Sequence, residues 1–185
     1  MTDFPYPAIG LIEIESIARG IVCVDAVLKR ASVRLHVTEA ITPGKYLLLF
    51  SGGVAEVEES LKAGLSIADE KLVDQLYLPQ AHPAIADGIT DRLAPVTIGA
   101  LGIVETATVA STLLAADAAC KTAKVTLCSM RLAKGIGGKG YFTFTGELAD
   151  VEASLSAAAA MVREGLLVAA ELVSSADAGM DGSVL

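Results

Sequence analysis

The chain has 185 residues, of which 53% are apolar, 22 are acidic and 14 are basic, which gives a formal net charge of −8. The acidic balance and an aromatic content of 4% exclude the cationic, base-stacking surfaces that bind nucleic acid. The longest stretches without a charged residue, 75–86 and 93–104, are shorter than the roughly 18 apolar residues of a membrane-spanning helix.

The first predicted elements are a strand and a helix. Residues 8–15 are an apolar run typical of a strand, and Ser16 after it is a suitable helix N-cap. The apolar residues of the helix recur at three- and four-residue spacing, which predicts one buried stripe. Its members are Ile17, Ile21, Val24 and Leu28.

Three more strands and a second helix complete the first half of the chain. In order they are a strand over 34–38, a loop at Thr42, Pro43 and Gly44, a strand over 46–50, a helix from Val54 and a strand over 72–78. In the second helix Val57 and Leu61 are expected to face inward. The predicted order is therefore β-α-β-β-α-β.

The second half of the chain repeats the first. The segment 8–13 returns as 100–105, and the i,i+4 pair Asp25 and Lys29 returns 92 residues later as Asp117 and Lys121. Downstream the offset becomes 94, where Gly44-Lys45 matches Gly138-Lys139. With a linker near 87–95, we expect domains at 1–90 and 96–185. Each is an α+β, ferredoxin-like unit with helices packed on an antiparallel four-stranded sheet.

The motifs that suggest catalysis or cofactor binding are weak. The run 135–140 fits G-x-G-x-x-G, but a strand follows where a dinucleotide site needs a helix, so a hairpin loop is predicted. His36, His82 and Ser51 have no partner residues near them in sequence that would form a catalytic or metal site.

The cysteines bear on location. Cys23, Cys120 and Cys128 are too few, and wrongly spaced, for a disulfide framework or a zinc site, and we expect them to be reduced and buried. The first five residues carry an acid where a secretion signal carries positive charge. Both features predict a cytoplasmic protein.

The repeated segments resemble the shell-protein domain of bacterial microcompartments. The resemblance rests on 100–106, 115–121, the glycine-rich loop at 135–140 and 146–151 in the second half, and on 8–13, 25–31 and 52–61 in the first. It extends from about Ala8 to Val173, and two copies in one chain resemble the tandem-domain class of that family. The resemblance implies a structural shell subunit and not an enzyme.

The family's assembly supplies the expected site and partners. Three chains would form a trimeric pseudohexameric tile with a central pore for small metabolites, which joins other shell proteins laterally and has no lipid or nucleic-acid partner. The pore-lining residues implied are Thr42, Pro43, Gly44, Lys45, Gly135, Ile136, Gly137, Gly138 and Lys139. The tile-edge residues implied are Lys29, Lys121 and His82.

Some tandem members carry an iron–sulfur cluster at the pore, held by a cysteine just before Pro-Gly-Lys. This chain has Thr42 at that position, and a hydroxyl is a poor ligand for such a cluster, so we expect neither cofactor nor metal. Two other functions stay open. One is a soluble regulator that senses an anion at the Gly-Lys loops, and the other is an enzyme that uses Cys23 or Cys128 as nucleophile.

Overall fold

A computed structural model describes residues 7–180 of the chain, which form two compact units. Among the described residues, unit 1 comprises 7–81 together with Lys134–Gly138, and unit 2 comprises His82–Ala133 and 139–180. The acidic N-terminal segment that was interpreted above lies outside the described residues.

Unit 1 has the predicted order of elements. They are β1 (Ala8–Ile14), α1 (Ile17–Arg30), β2 (Arg34–Ile41), β3 (Lys45–Gly52), α2 (Val54–Ala68) and β4 (Leu72–Leu78). The strands pair antiparallel in the order β2-β3-β1-β4, so the fully buried β1 lies in the interior of the sheet. Val57 and Leu61 of α2 are buried against it, as predicted.

Unit 2 repeats this arrangement and adds one short helix. Its elements are α3 (Pro83–Ile89), β5 (Ala100–Thr106), α4 (Val109–Thr122), β6 (Val125–Leu132), β7 (Gly140–Gly146), α5 (Leu148–Met161) and β8 (Leu167–Val173). The sheet order is β6-β7-β5-β8, again antiparallel, which confirms the α+β fold and its duplication. Helix α3 packs on α4 and β6, and only its last turn overlaps the linker predicted near 87–95.

Both predicted helix caps are present. The Ser16 hydroxyl accepts a hydrogen bond from the Arg19 N–H at 3.2 Å, and the Thr108 hydroxyl accepts one from the Ser111 N–H at 3.2 Å. Each satisfies a backbone donor that the first turn of a helix leaves without a partner.

The predicted buried stripe of α1 is wrong for three of its four residues, while the fourth, Val24, is half-buried and packs against the core. Ile17, Ile21 and Leu28 are 44%, 58% and 48% exposed. The buried face instead carries Gly20, Cys23 and Val27, and the Cys23 thiol donates to the Gly64 carbonyl of α2 at 3.4 Å. At Gly20 any side chain would collide with the Tyr46 ring, so this face of α1 packs closely only because it carries a glycine there. The bulky apolar residues of α1 are thus left on its outer side.

Candidate functional site

The two glycine-containing loops predicted to line a pore come together in unit 1. Thr42, Pro43 and Gly44 form a turn between β2 and β3, which the Gly44 N–H closes by donating to the Ile41 carbonyl at 2.9 Å. The segment 134–138 lies against this turn, so closely that any side chain at Gly138 would collide with the Thr42 carbonyl oxygen.

Glycine is required in these loops by the backbone itself. Gly44, Gly135, Gly137 and Gly138 have φ values of 113°, 74°, 68° and 78°. This is the left-handed region, where a side chain is strained. At Gly44, Gly135 and Gly137 the space beside the Cα is open. These glycines therefore set the backbone path of the loops, and open space remains beside three of them.

Each lysine of these loops lies beside a carboxylate. Lys45 Nζ is 3.4 Å from Glu13 Oε2, and its repeat equivalent, Lys139 Nζ, is 2.8 Å from Glu105 Oε1. Lys134 Nζ is 3.2 Å from Glu39 Oε2.

These pairs give the lysine of the recurring Gly-Lys dipeptide the same role in both repeats, an ion pair with a glutamate. Glu13 and Glu105 both belong to the repeated β1 and β5 segments, yet sequence reasoning assigned them no role. The signal was that both members of the pair recur, the glutamate at an offset of 92 residues and the lysine at an offset of 94.

The predicted edge residues differ between the two units. In unit 1 the Lys29–Asp25 pair, at 2.7 Å, is well exposed. In unit 2 Lys121 Nζ lies 2.6 Å from the buried Asp117, whose other oxygen accepts the His82 N–H at 2.7 Å. His82 Nδ1 in turn accepts the Ala84 N–H at 3.3 Å and caps α3. The structure therefore joins Lys121 and His82 through Asp117, a residue that the sequence had offered only as a helix pair.

The histidine and serine considered for catalysis are hydrogen bonded to each other. His36 Nε2 lies 2.7 Å from the Ser51 hydroxyl. Burial, with a smaller contribution from the charge of Arg34, lowers the pKa of His36 to about 4. Ser51 is completely buried, so its hydroxyl cannot meet a substrate in this conformation.

The three cysteine thiols are held protonated by burial. Burial raises the pKa of Cys120 to about 12 and that of Cys128 to about 11, and it also raises the pKa of Cys23. Cys128 lines a cavity of about 310 Å³ between residues 91–96 and β6. Its side chain is therefore half-buried, whereas the sequence predicted that it is buried. Because the thiolate is the nucleophile, these pKa shifts oppose covalent catalysis.

The donors at the loops do not fit an iron–sulfur cluster. Thr42 presents a hydroxyl, while Cys23, Cys120 and Cys128 lie on α1, α4 and β6. Within residues 7–180 no group of three His, Cys, Asp or Glu side chains could hold a metal ion. In the same range no helix is both long enough and apolar enough to cross a membrane.

Comparison with known proteins matches the two repeats separately. The family model described as the BMC domain matches residues 8–81 and again 100–176. The bacterial microcompartment shell protein PduT of Citrobacter freundii is 42% identical over 162 residues, which cover 87% of this chain and 88% of that protein.

Two solved structures extend the comparison. A microcompartment protein from Desulfitobacterium hafniense DCB superposes with a TM-score of 0.84 and 41% identity, covering 94% of this chain and 97% of that one. The fused permuted hexameric shell protein MSM0275 of the RMM microcompartment superposes with a TM-score of 0.62, over 83% and 82% of the two chains. At 20% identity the second likeness concerns the fold alone.

Proposed function

Since the chain belongs to the BMC-domain family and is a structural subunit of a bacterial microcompartment shell, we propose that three copies close a pseudohexameric tile around a pore for small metabolites. Each chain would supply two shell domains, within 1–90 and 96–185, and so two of the six positions in the ring. The tile would join other shell proteins through its edges.

The observation that carries the trimer is a helix face that is exposed in one repeat and buried in the other. Ile17 and Ile21 of α1 are 44% and 58% exposed, whereas their repeat equivalents in α4, Val109 and Leu113, are completely buried. We name Ile17, Ile21 and Leu28 the α1 stripe. Equivalent positions of a duplicated fold are expected to have equivalent neighbours, so the α1 stripe lacks a neighbour that a second chain would supply.

At the last strand of each unit the difference is reversed, because the apolar residues of unit 2 are more exposed than those of unit 1. We name Val168 and Leu172 of β8, which are 45% and 36% exposed, the β8 face. Val73 and Tyr77, at the same register positions of β4, are half-buried. Each chain therefore offers two different apolar surfaces. A contact between unlike surfaces repeats from chain to chain and closes into a ring when the rotation permits.

Glycine loops of small cross-section suit the centre of such a ring, where several backbones converge. A structural role without catalysis is supported by the protonated thiols and the buried Ser51. The alternative of an anion-sensing regulator finds little support, because a carboxylate lies beside both Lys45 and Lys139.

Sedimentation would test the proposal by comparing the mass of the unaltered protein with that of variants substituted in each apolar surface. The unaltered chain is expected to be a trimer, and Ile21→Glu and Leu172→Glu are each expected to weaken it. Losing a buried Ile costs about 2 kcal/mol per interface, more than a tenfold loss in affinity.

Ala55→Glu places the same side chain on the exposed surface of α2 and is the matched control, expected to stay trimeric. Circular dichroism would verify that each variant is folded. A monomeric unaltered chain would refute the tile.

A further inference from the structure

We propose that carboxylates neutralise every lysine of the pore loops, so that the pore admits small uncharged polar solutes and does not favour anions. This inference rests on the pore proposed above and concerns its solute class. A Gly-Lys loop at the centre of a ring would by itself attract anions, and the structure shows what opposes this.

The loops carry three lysines and three partner carboxylates. The Nζ to Oε distances are 3.4 Å for Lys45 and Glu13, 3.2 Å for Lys134 and Glu39, and 2.8 Å for Lys139 and Glu105. The other residues of the two loops, Thr42, Pro43, Gly44 and 135–138, carry no ionisable side chain. The loops of one chain therefore have a formal charge of zero once their partners are counted.

The pairs differ in how firmly they are held. The side chain of Glu13 is completely buried and that of Lys45 only 17% exposed, so this ammonium is held inside the unit. In the Lys139–Glu105 pair the side chains are 48% and 35% exposed. Opposite charges at such distances largely cancel each other's field beyond a few ångströms, and solvent screens what remains. Of these two lysines, Lys139 is thus the one whose charge a single substitution would release at the lower structural cost.

Glu105→Gln tests the inference, with sulfate as the probe. In isothermal titration calorimetry at low ionic strength, the unaltered trimer is expected to show no saturable sulfate binding. Glu105→Gln leaves three ammonium groups around one axis, so saturable binding of one sulfate per trimer is expected in this variant.

Two further variants control for other effects. Glu105→Gln with Lys139→Gln removes both charges and is expected to restore the behaviour of the unaltered chain. Glu152→Gln makes the same change of net charge on the exposed side of α5 and is expected to leave sulfate binding unchanged. Should Glu105→Gln fail to fold, Glu39→Gln releases Lys134 independently.

The possible failures are distinguishable. Saturable sulfate binding by the unaltered trimer, or none by Glu105→Gln while the trimer persists in sedimentation, overturns the neutral pore but leaves the tile intact. One sulfate per chain in Glu105→Gln, or the absence of a trimer in the unaltered protein, overturns the proposed ring and this inference with it.

Discussion

His36 and Cys128 occupy the same structural position in the two repeats, each being the extra residue of a β-bulge in an edge strand. The register shifts between Leu35 and Val37 in β2 and between Leu127 and Ser129 in β6. A bulge leaves one residue outside the regular pairing and turns its side chain to a new direction. Burial there gives His36 a lowered pKa and Cys128 a raised one, so both are uncharged at neutral pH.

The half-buried His36 predicts a dependence of stability on pH. Its folded pKa of about 4 lies below the usual 6.5, so the unfolded chain binds the proton more readily. The contribution of His36 to the free energy of unfolding is fully present above pH 6.5, and up to about 3 kcal/mol of it is lost as the pH falls to 4. Denaturant titrations at pH 7, 5 and 4 would measure it. His36→Asn should remove this part of the slope, and an unchanged slope would contradict the assignment.

Thr42 predicts how the protein responds to iron and sulfide. Because a hydroxyl does not replace a thiolate as cluster ligand, anaerobic reconstitution of the unaltered chain is expected to give no charge-transfer absorption. Thr42→Cys would bring three thiols to the proposed axis and is expected to gain such absorption. A stable cluster in the unaltered chain would contradict this reading of the loop.

At the level of elements, the contact between the first helix and the third strand pairs a small residue with a larger one in both repeats, but the two residues are exchanged between helix and strand. In unit 1, Gly20 of α1 lies under the Tyr46 ring of β3, and any side chain at Gly20 would collide with that ring. In unit 2 the equivalent pair is Thr112 of α4 and Gly140 of β7, with the larger residue now on the helix. Because the interior is close-packed, only one side chain fits between helix and strand. The strand supplies it in unit 1, and the helix supplies it in unit 2.

A second equivalent pair predicts opposite effects of one substitution. Ser60 of α2 donates to the Val27 carbonyl at 3.0 Å, whereas the equivalent hydroxyl of Ser154 in α5 is buried with no hydrogen-bond partner among the described residues. Ser60→Ala is expected to lower the free energy of unfolding by about 1 kcal/mol, and Ser154→Ala to raise it by about 1 kcal/mol. Thermal and urea unfolding would measure both. Equal effects of the two substitutions would contradict the difference in bonding.

At the level of the whole molecule, the duplicated halves are not interchangeable. Lys29 belongs to an exposed pair on α1, whereas Lys121 belongs to a partly buried network with Asp117 and His82. An exposed ion pair contributes little to folding, so the long apolar stem of Lys29 is available for the contacts between tiles that the proposed assembly requires. Lys121 is tied to the stability of unit 2.

Charge reversal at these lysines is therefore expected to separate lateral assembly from folding. Lys29→Asp should abolish extended sheets in electron micrographs while the trimer persists in sedimentation. Lys121→Asp places a second carboxylate beside Asp117 and should lower the melting temperature.

The matched control is Lys62→Asp, since Lys62 is an exposed, ion-paired lysine on α2. This variant is expected to retain sheets. Sheets formed by Lys29→Asp would contradict the edge assignment.

Local patterns in the sequence determined the strands, the main helices, the caps at Ser16 and Thr108, the repeat and the family. These features depend on neighbours a few residues apart or on identity at a fixed offset. Tertiary structure decided which face of α1 is buried, that α3 forms, and that Glu13 and Glu105 lie beside the loop lysines. An apolar stripe on a helix indicates only that this surface is shielded from water, and not by what. Whether the chain's own core or a neighbouring molecule covers it depends on distant residues competing for the same space.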